Sequence, residues 1–196
     1  FFYLMKISTW NVNSVNARIE HLEKFIKKDQ SDIYLLQELK TIEDGFPKEI
    51  IKNAGYYSYV NGQKAWNGVA ILSKEKLEIT NTSIPKYDDP NARFIETEIQ
   101  LKKIKKNIKL INIYLPNGNP IETEKFDYKI KWMKKFNSYI QGLKNKNIPI
   151  IISGDFNVIP TDDDVYSPEN FKNDACAHPL TPVSYTHLRA HETFAN

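Results

Sequence analysis

Four times in this sequence an apolar run leads straight into amides, acids or a tyrosine. The junctions are Ser8-Thr9-Trp10-Asn11-Val12-Asn13, Leu35-Leu36-Gln37-Glu38, Asn112-Ile113-Tyr114-Leu115-Pro116-Asn117-Gly118 and Ile151-Ile152-Ser153-Gly154-Asp155-Phe156-Asn157. In each, the polar groups stand at the C-terminal end of the run. Sheet proteins collect active sites there, because rigid strands hold side chains that the departing loops leave open. Glu38 and Asp155 are hard oxygen donors without an accompanying Cys or His cluster, which suits Mg²⁺ or Mn²⁺ better than zinc. Asn11, Asn157 and Tyr114 hydrogen-bond without charge and can orient phosphate oxygens or a water. Such a set fits phosphoryl chemistry, in which positioning and electrostatic stabilisation supply most of the catalysis.

Each of these residues also has an ordinary structural use. Asn11 and Asn13 can cap a following helix or form a turn. Glu38 can be a surface acid, Gly154-Asp155 a turn, Tyr114 a core residue and Arg93 a surface charge. Asp162, Asp163 and Asp164 follow Thr161 and read as the start of a short helix or a solvated turn rather than as metal ligands. One strand-end junction carries no weight, but four of them can converge on one cleft.

The elements that must position these groups are legible as short runs rich in Ile, Val, Leu and Tyr. Strands are predicted over residues 4–10, 33–36, 56–60, 69–73, 94–101, 108–114 and 148–153. Apolar stripes at helical spacing predict helices over 15–28 (Ile19, Leu22, Phe25, Ile26) and 125–144 (Ile130, Met133, Phe136, Ile140, Leu143). Adjacent strands such as 94–101 with 108–114 suggest a hairpin, whereas others are separated by helices. The expectation is therefore an α/β protein with mixed rather than purely parallel sheets.

With 196 residues, 41% hydrophobic and 26% charged, the composition is globular and the length suits one domain. The net charge of +3 permits a polyanionic partner without imposing one. The lysine-rich stretch 101–109 reads as the solvated end of a hairpin. The single cysteine, Cys176, excludes an internal disulfide framework, so a reducing, cytoplasmic location is expected. No apolar run approaches the roughly 18 residues that span a bilayer, and no membrane partner is expected.

After Pro182 the periodicity fits neither sheet nor helix. Residues 183–193 match the translation of a mosaic-end adapter used in transposase-based sequencing libraries. Residues 183–196 are therefore expected to be a non-native tail, and residues 1–4, before Met5, upstream read-through. His187 and His191 have the spacing of a helical metal pair, but as part of the tail they are assigned no role.

The blocks Trp10-Asn11-Val12-Asn13, Leu36-Gln37-Glu38-Leu39-Lys40, Gly62-Gln63-Lys64 with Asn67-Gly68-Val69-Ala70, Tyr114-Leu115-Pro116-Asn117-Gly118 and Gly154-Asp155-Phe156-Asn157-Val158-Ile159-Pro160-Thr161 resemble the successive motifs of the exonuclease III family, within the endonuclease/exonuclease/phosphatase superfamily. The resemblance covers Met5 to about Thr181. It implies a four-layer sandwich, two mixed β-sheets face to face with helices outside, over residues 5–181. It further implies that Glu38 is the principal Mg²⁺ ligand, with Mn²⁺ an alternative ion and Asn11 beside it. Tyr114 would contact the scissile phosphate, Asp155 would take part in proton transfer, and Asn157 would stabilise charge on the phosphate. Arg93, Asn117 and Gln63 would contact DNA.

The activity implied is abasic-site endonuclease and 3′-to-5′ exonuclease on duplex DNA with abasic sites or 3′ ends, by a monomer. The family's later blocks, an aromatic segment lining the abasic pocket, an Arg-Ile-Asp-His-like strand and a terminal Ser-Asp-His, find no match. The domain is thus expected to be incomplete and this chain alone inactive. Two rivals remain: a superfamily phosphatase or phosphodiesterase on a small phosphorylated substrate, and a non-catalytic nucleic-acid-binding fragment.

Overall fold

The computed structural model describes residues 5–101, 106–182 and 185 of the chain. The expected adapter-encoded tail, with its His187 and His191, lies outside the described residues apart from Tyr185, as do 102–105 of the lysine-rich stretch. Two compact units form. One holds the chain as far as Tyr114 together with Ile148–Asp155, and the other holds Leu115–Asn147 with the residues from Phe156 onward.

The first unit contains two four-stranded sheets. In one, β1 (Ile7–Asn11), β2 (Ile33–Gln37), β4 (Val69–Ser73) and β3 (Tyr57–Asn61) lie in that order, with β1 and β2 parallel and the rest antiparallel. In the other, β5 (Ile79–Asn81), β6 (Phe94–Leu101), β7 (Lys106–Tyr114) and β8 (Ile150–Asp155) follow, antiparallel except for the parallel pair β7 and β8. Both sheets are mixed, as expected, and the expected hairpin is β6 with β7.

Side chains alternate across a strand. Ile33, Leu35, Val69 and Ile71 therefore face the second sheet and pack with Ile95, Ile99, Ile108 and Leu110. Tyr34, Leu36, Ala70 and Leu72 face the other way and meet Leu22 and Ile26 of α1 (Ile19–Asp29) and Ile51 of α2 (Lys48–Asn53). Burial on both faces is why β2 and β4 read as unbroken apolar runs.

The expected helix from residue 15 begins instead with a 3-10 turn, Asn16–Arg18. Neither Asn11 nor Asn13 caps it. The Asn11 Oδ1 accepts the Asn13 N–H at 3.0 Å, and the Asn13 Oδ1 accepts from Lys40 Nζ at 2.6 Å.

In the second unit α3 (Glu124–Lys144) buries Met133, Phe136, Ile140 and Leu143 of the expected stripe, with Ile130 only partly covered, and also Phe126, Trp132 and Lys129. Thr161 and Asp164 form a capping box over the 3-10 turn Asp162–Asp164, so this acidic run is a helix start. Among the described residues no helix is long and apolar enough to cross a membrane.

Candidate active site

The two parallel pairs end side by side in register, Asn11 opposite Gln37 and Tyr114 opposite Asp155. The loops that leave these ends are laced together through the main chain. Ser14 N–H donates to Glu38 O at 2.8 Å, Lys40 N–H to Asn67 O at 2.9 Å, Gly68 N–H to Ala92 O at 2.9 Å and Tyr114 N–H to Arg93 O at 2.8 Å. Several loop residues hold left-handed backbone: Asn13 (φ 43°), Ser14 (80°), Glu38 (59°) and Lys40 (55°). Such conformations cost non-glycine residues about 1–3 kcal/mol each and persist only where the surroundings fix them.

These loops bring four of the expected residues into one cluster. Asn11 Nδ2 donates to Asp155 Oδ2 at 2.7 Å. Glu38 and Asp155 lie near enough to the Tyr114 hydroxyl for the fields of both carboxylates to act on it. Burial first, then the negative Glu38, push the phenol up to about 12 against the opposing pull of Arg93, with Asp155 adding to the rise. Tyr114 is therefore a neutral hydrogen-bond donor at physiological pH. The Arg93 guanidinium lies 4.9 Å from the Tyr114 ring centroid and donates to Tyr114 O at 3.1 Å, a stacked cation that braces the ring. Lys40 pairs with Glu38 at 2.9 Å.

The donor chemistry answers the metal expectation. Two carboxylates and an amide face one another, and among the described residues no three His, Cys, Asp or Glu side chains gather into a cage. An open, all-oxygen set of this kind fits a divalent cation that keeps water and takes substrate phosphate as further ligands.

Gln63 is turned inward: its Oε1 accepts from Ala92 N at 3.0 Å and Asn67 Nδ2 at 2.9 Å, and its Nε2 donates to Asn91 Oδ1 at 3.4 Å. In the second unit, Asn157 has φ 46° and donates from Nδ2 to Leu115 O at 2.8 Å, while Asn117 Nδ2 lies 3.5 Å from Asn157 Oδ1. His178 stacks edge-on to Phe126 at 4.5 Å.

Beneath the cluster is a polar pin that the sequence reading missed. The Asn112 amide, fully buried, donates to Leu36 O and Ala70 O, both at 2.9 Å, and accepts from Gln37 Nε2 at 2.7 Å. It ties the second sheet to two strands of the first, one residue before Glu38 and two before Tyr114. The available signal was an amide on the inward face of the apolar run Leu110-Ile111-Asn112-Ile113-Tyr114. Lys129 carries a comparable signal, a lysine on an apolar helical stripe. Trp66 was also passed over and stands 69% exposed in the loop between Gln63 and Gly68.

Residues 8–195 match the model of the Endonuclease/Exonuclease/phosphatase family. The chain is 36% identical over 167 residues to exodeoxyribonuclease III of Haemophilus influenzae, an alignment covering 82% of this chain and 60% of that enzyme. The chain thus spans less than two thirds of that relative's length. An AP endonuclease from Archaeoglobus fulgidus superposes with a TM-score of 0.86 at 31% identity, over 95% of this chain and 70% of that one. A 3′ phosphatase from Neisseria bound to a product DNA hairpin gives the same TM-score and identity, over 95% and 71%. These matches and the fold agree with the motif resemblance: the chain belongs to the endonuclease/exonuclease/phosphatase family.

Proposed function

We propose that the protein is a Mg²⁺-dependent phosphodiesterase of DNA repair, an abasic-site endonuclease and 3′-to-5′ exonuclease on duplex DNA. The observation that carries this reading is the gathering of Glu38 and Asp155 about the half-buried Tyr114 phenol, with Asn11 bonded to Asp155. Glu38 and Asn11 would hold the cation, which when bound neutralises phosphate charge and lowers the pKa of a coordinated water. Tyr114, kept protonated, would offer its hydroxyl to a phosphate oxygen. Asp155, oriented by Asn11, accepts a proton from the attacking water or returns one to the leaving oxygen. Asn157 and Asn117 offer neutral N–H donors to phosphate charge. Arg93 and the exposed Trp66 present a cation and an aromatic face to DNA. Gln63, bonded to Asn67, Asn91 and Ala92, would brace the surface that meets DNA.

A second use of the same groups, removal of 3′ phosphates from duplex ends, is favoured by the likeness to the Neisseria phosphatase. The test is cleavage, by the full-length protein, of a labelled duplex with one abasic site, beside one ending in a 3′ phosphate, in Mg²⁺ and in chelator. Chelator-sensitive cleavage that Glu38→Gln abolishes supports the proposal. Cleavage indifferent to chelator or to Glu38→Gln overturns it, and release of phosphate from the second duplex alone selects the second use.

A further inference from the structure

Lysine is almost never fully buried unless its charge is met, yet Lys129 on α3 has no exposed surface. Its ammonium donates to three main-chain carbonyls, Asn157 O at 2.7 Å, Asn117 O at 2.9 Å and Ala175 O at 3.2 Å, which match the three protons it carries. We propose that Lys129 is a positioning residue: an internal cationic clamp that joins the two loops bearing Asn117 and Asn157 to the 174–176 turn and so presets that amide pair for phosphate. The inference rests on the reading of Asn117 and Asn157 as phosphate contacts.

The fixed points are the peptide units of the two functional amides themselves. Asn157 sits at φ 46°, a conformation that must be imposed by its surroundings, and the Lys129 bond to its carbonyl helps impose it. The pair is then held side chain to side chain, Asn117 Nδ2 lying 3.5 Å from Asn157 Oδ1 and 3.7 Å from Cys176 Sγ. The 174–176 turn is tied to the same loop by Asn119, whose Nδ2 donates to Asp174 Oδ2 at 2.8 Å and whose Oδ1 accepts from Ala175 N at 2.8 Å. Gly118 gives the lysine stem its passage: a Cβ there would lie 2.5 Å from Lys129 Cδ and 3.2 Å from Ala175 Cβ. Burying a charge is expensive and an apolar residue of similar volume is commonly as stable or more so. A clamp on three carbonyls is what the ammonium provides and a methyl cannot.

The test uses the full chain, ¹⁵N-labelled, with Lys129→Met and Gly118→Ala, the side-chain amide resonances being assigned through Asn117→Asp and Asn157→Asp. Each protein is followed by thermal unfolding and by titration with inorganic phosphate. Lys129→Met should remain folded, shift both asparagine amide pairs and weaken the phosphate response of Asn157 about tenfold or more, the loss of one charged hydrogen bond. Gly118→Ala keeps the charge but displaces its stem, and should shift the same resonances. Unmoved asparagine amides in a folded Lys129→Met overturn the clamp, and should that variant unfold, unmoved amides in Gly118→Ala do so. Shifted amides in a parent chain that gives no phosphate response support the clamp and refute instead the phosphate reading of Asn157.

Discussion

Replacing Gly154 with alanine tests how closely the fold dictates the site. Gly154 pairs with Ile113 in the β7 and β8 ladder and has φ 139°. A Cβ there would lie 2.0 Å from the Ile113 carbonyl oxygen and 2.9 Å from its carbon and nitrogen. All three are main-chain atoms of the adjacent strand, so no rotamer change relieves the clash. Contacts under 3.0 Å are not tolerated, and the ends of β7 and β8 must separate by about 1 Å. Backbone strain of about 1–3 kcal/mol adds to an overpacking cost of about 1–3 kcal/mol. At roughly 2–4 °C per kcal/mol for a chain of this size, Tm should fall by about 10 °C.

The displacement lands on the chemistry, because the next residue is Asp155, opposite Tyr114 and 2.7 Å from Asn11. A misplacement of about 1 Å can cost about 10²-fold in rate. Circular dichroism melting, the Asn11 side-chain amide resonance and, in the full-length protein, Mg²⁺-dependent cleavage of abasic duplex together read the outcome. A Gly154→Ala protein that melts within about 1 °C of the parent and keeps the Asn11 resonance would refute the reasoning, since the strand would have absorbed a methyl group without moving.

Three further outcomes are expected. Glu38→Gln should change stability by no more than about 1 kcal/mol, as its partner Lys40 is partly solvated, while Mg²⁺ affinity measured by calorimetry falls about 10²-fold; undiminished binding would remove Glu38 from the metal site. Asn112→Leu should cost about 2–5 kcal/mol in denaturant unfolding, because it strips buried Leu36 O, Ala70 O and Gln37 Nε2 of a partner; a loss below about 0.5 kcal/mol would contradict the pin. The Lys6 ammonium, then Ser31, hold the Asp29 carboxyl far below the usual carboxylate range. Its stabilisation is thus present above the unfolded pKa of about 4 and lost as pH falls below it, so the Tm gap between parent and Asp29→Asn should narrow from pH 6 toward pH 2, and a constant gap would count against it.

The strands were legible because burial on one or both faces leaves a periodic mark, and β4 and β6 were read to the residue. Others run one or two residues further toward the C-terminus than their apolar marks. Asn11 and Asp155 belong to the ladders, since main-chain hydrogen bonds do not require an apolar side chain. β5 and α2 are too short to leave a pattern. Asn11, Glu38, Tyr114 and Asp155 could be singled out because strand-end position and residue type coincide. Asn112 and Lys129 could not be read so easily, as their partners are carbonyls of Leu36, Ala70, Asn157 and Ala175, and every residue type has a carbonyl. The same holds for Gln63: nothing in its block disclosed that Ala92 and Asn67 engage its amide.

The strand directions explain why this fold can hold the cluster. An antiparallel pair sets the C-terminal end of one strand beside the N-terminal end of the next, so two strand-end functional groups on neighbouring strands would face opposite ways. The parallel pairs β1 with β2 and β7 with β8 instead place Asn11 beside the approach to Glu38, and Tyr114 beside Asp155. The face-to-face packing of the two sheets and the Asn112 pin then bring the two ends into one cluster. Parallel pairing demands long crossover connections, and here these are the segments that carry α1 and α3. A residue change that slips either parallel pair by one position would turn the inward side chains outward and separate Glu38 from Tyr114. The register of these two pairs, more than the identity of any one ligand, is therefore what the chemistry depends on.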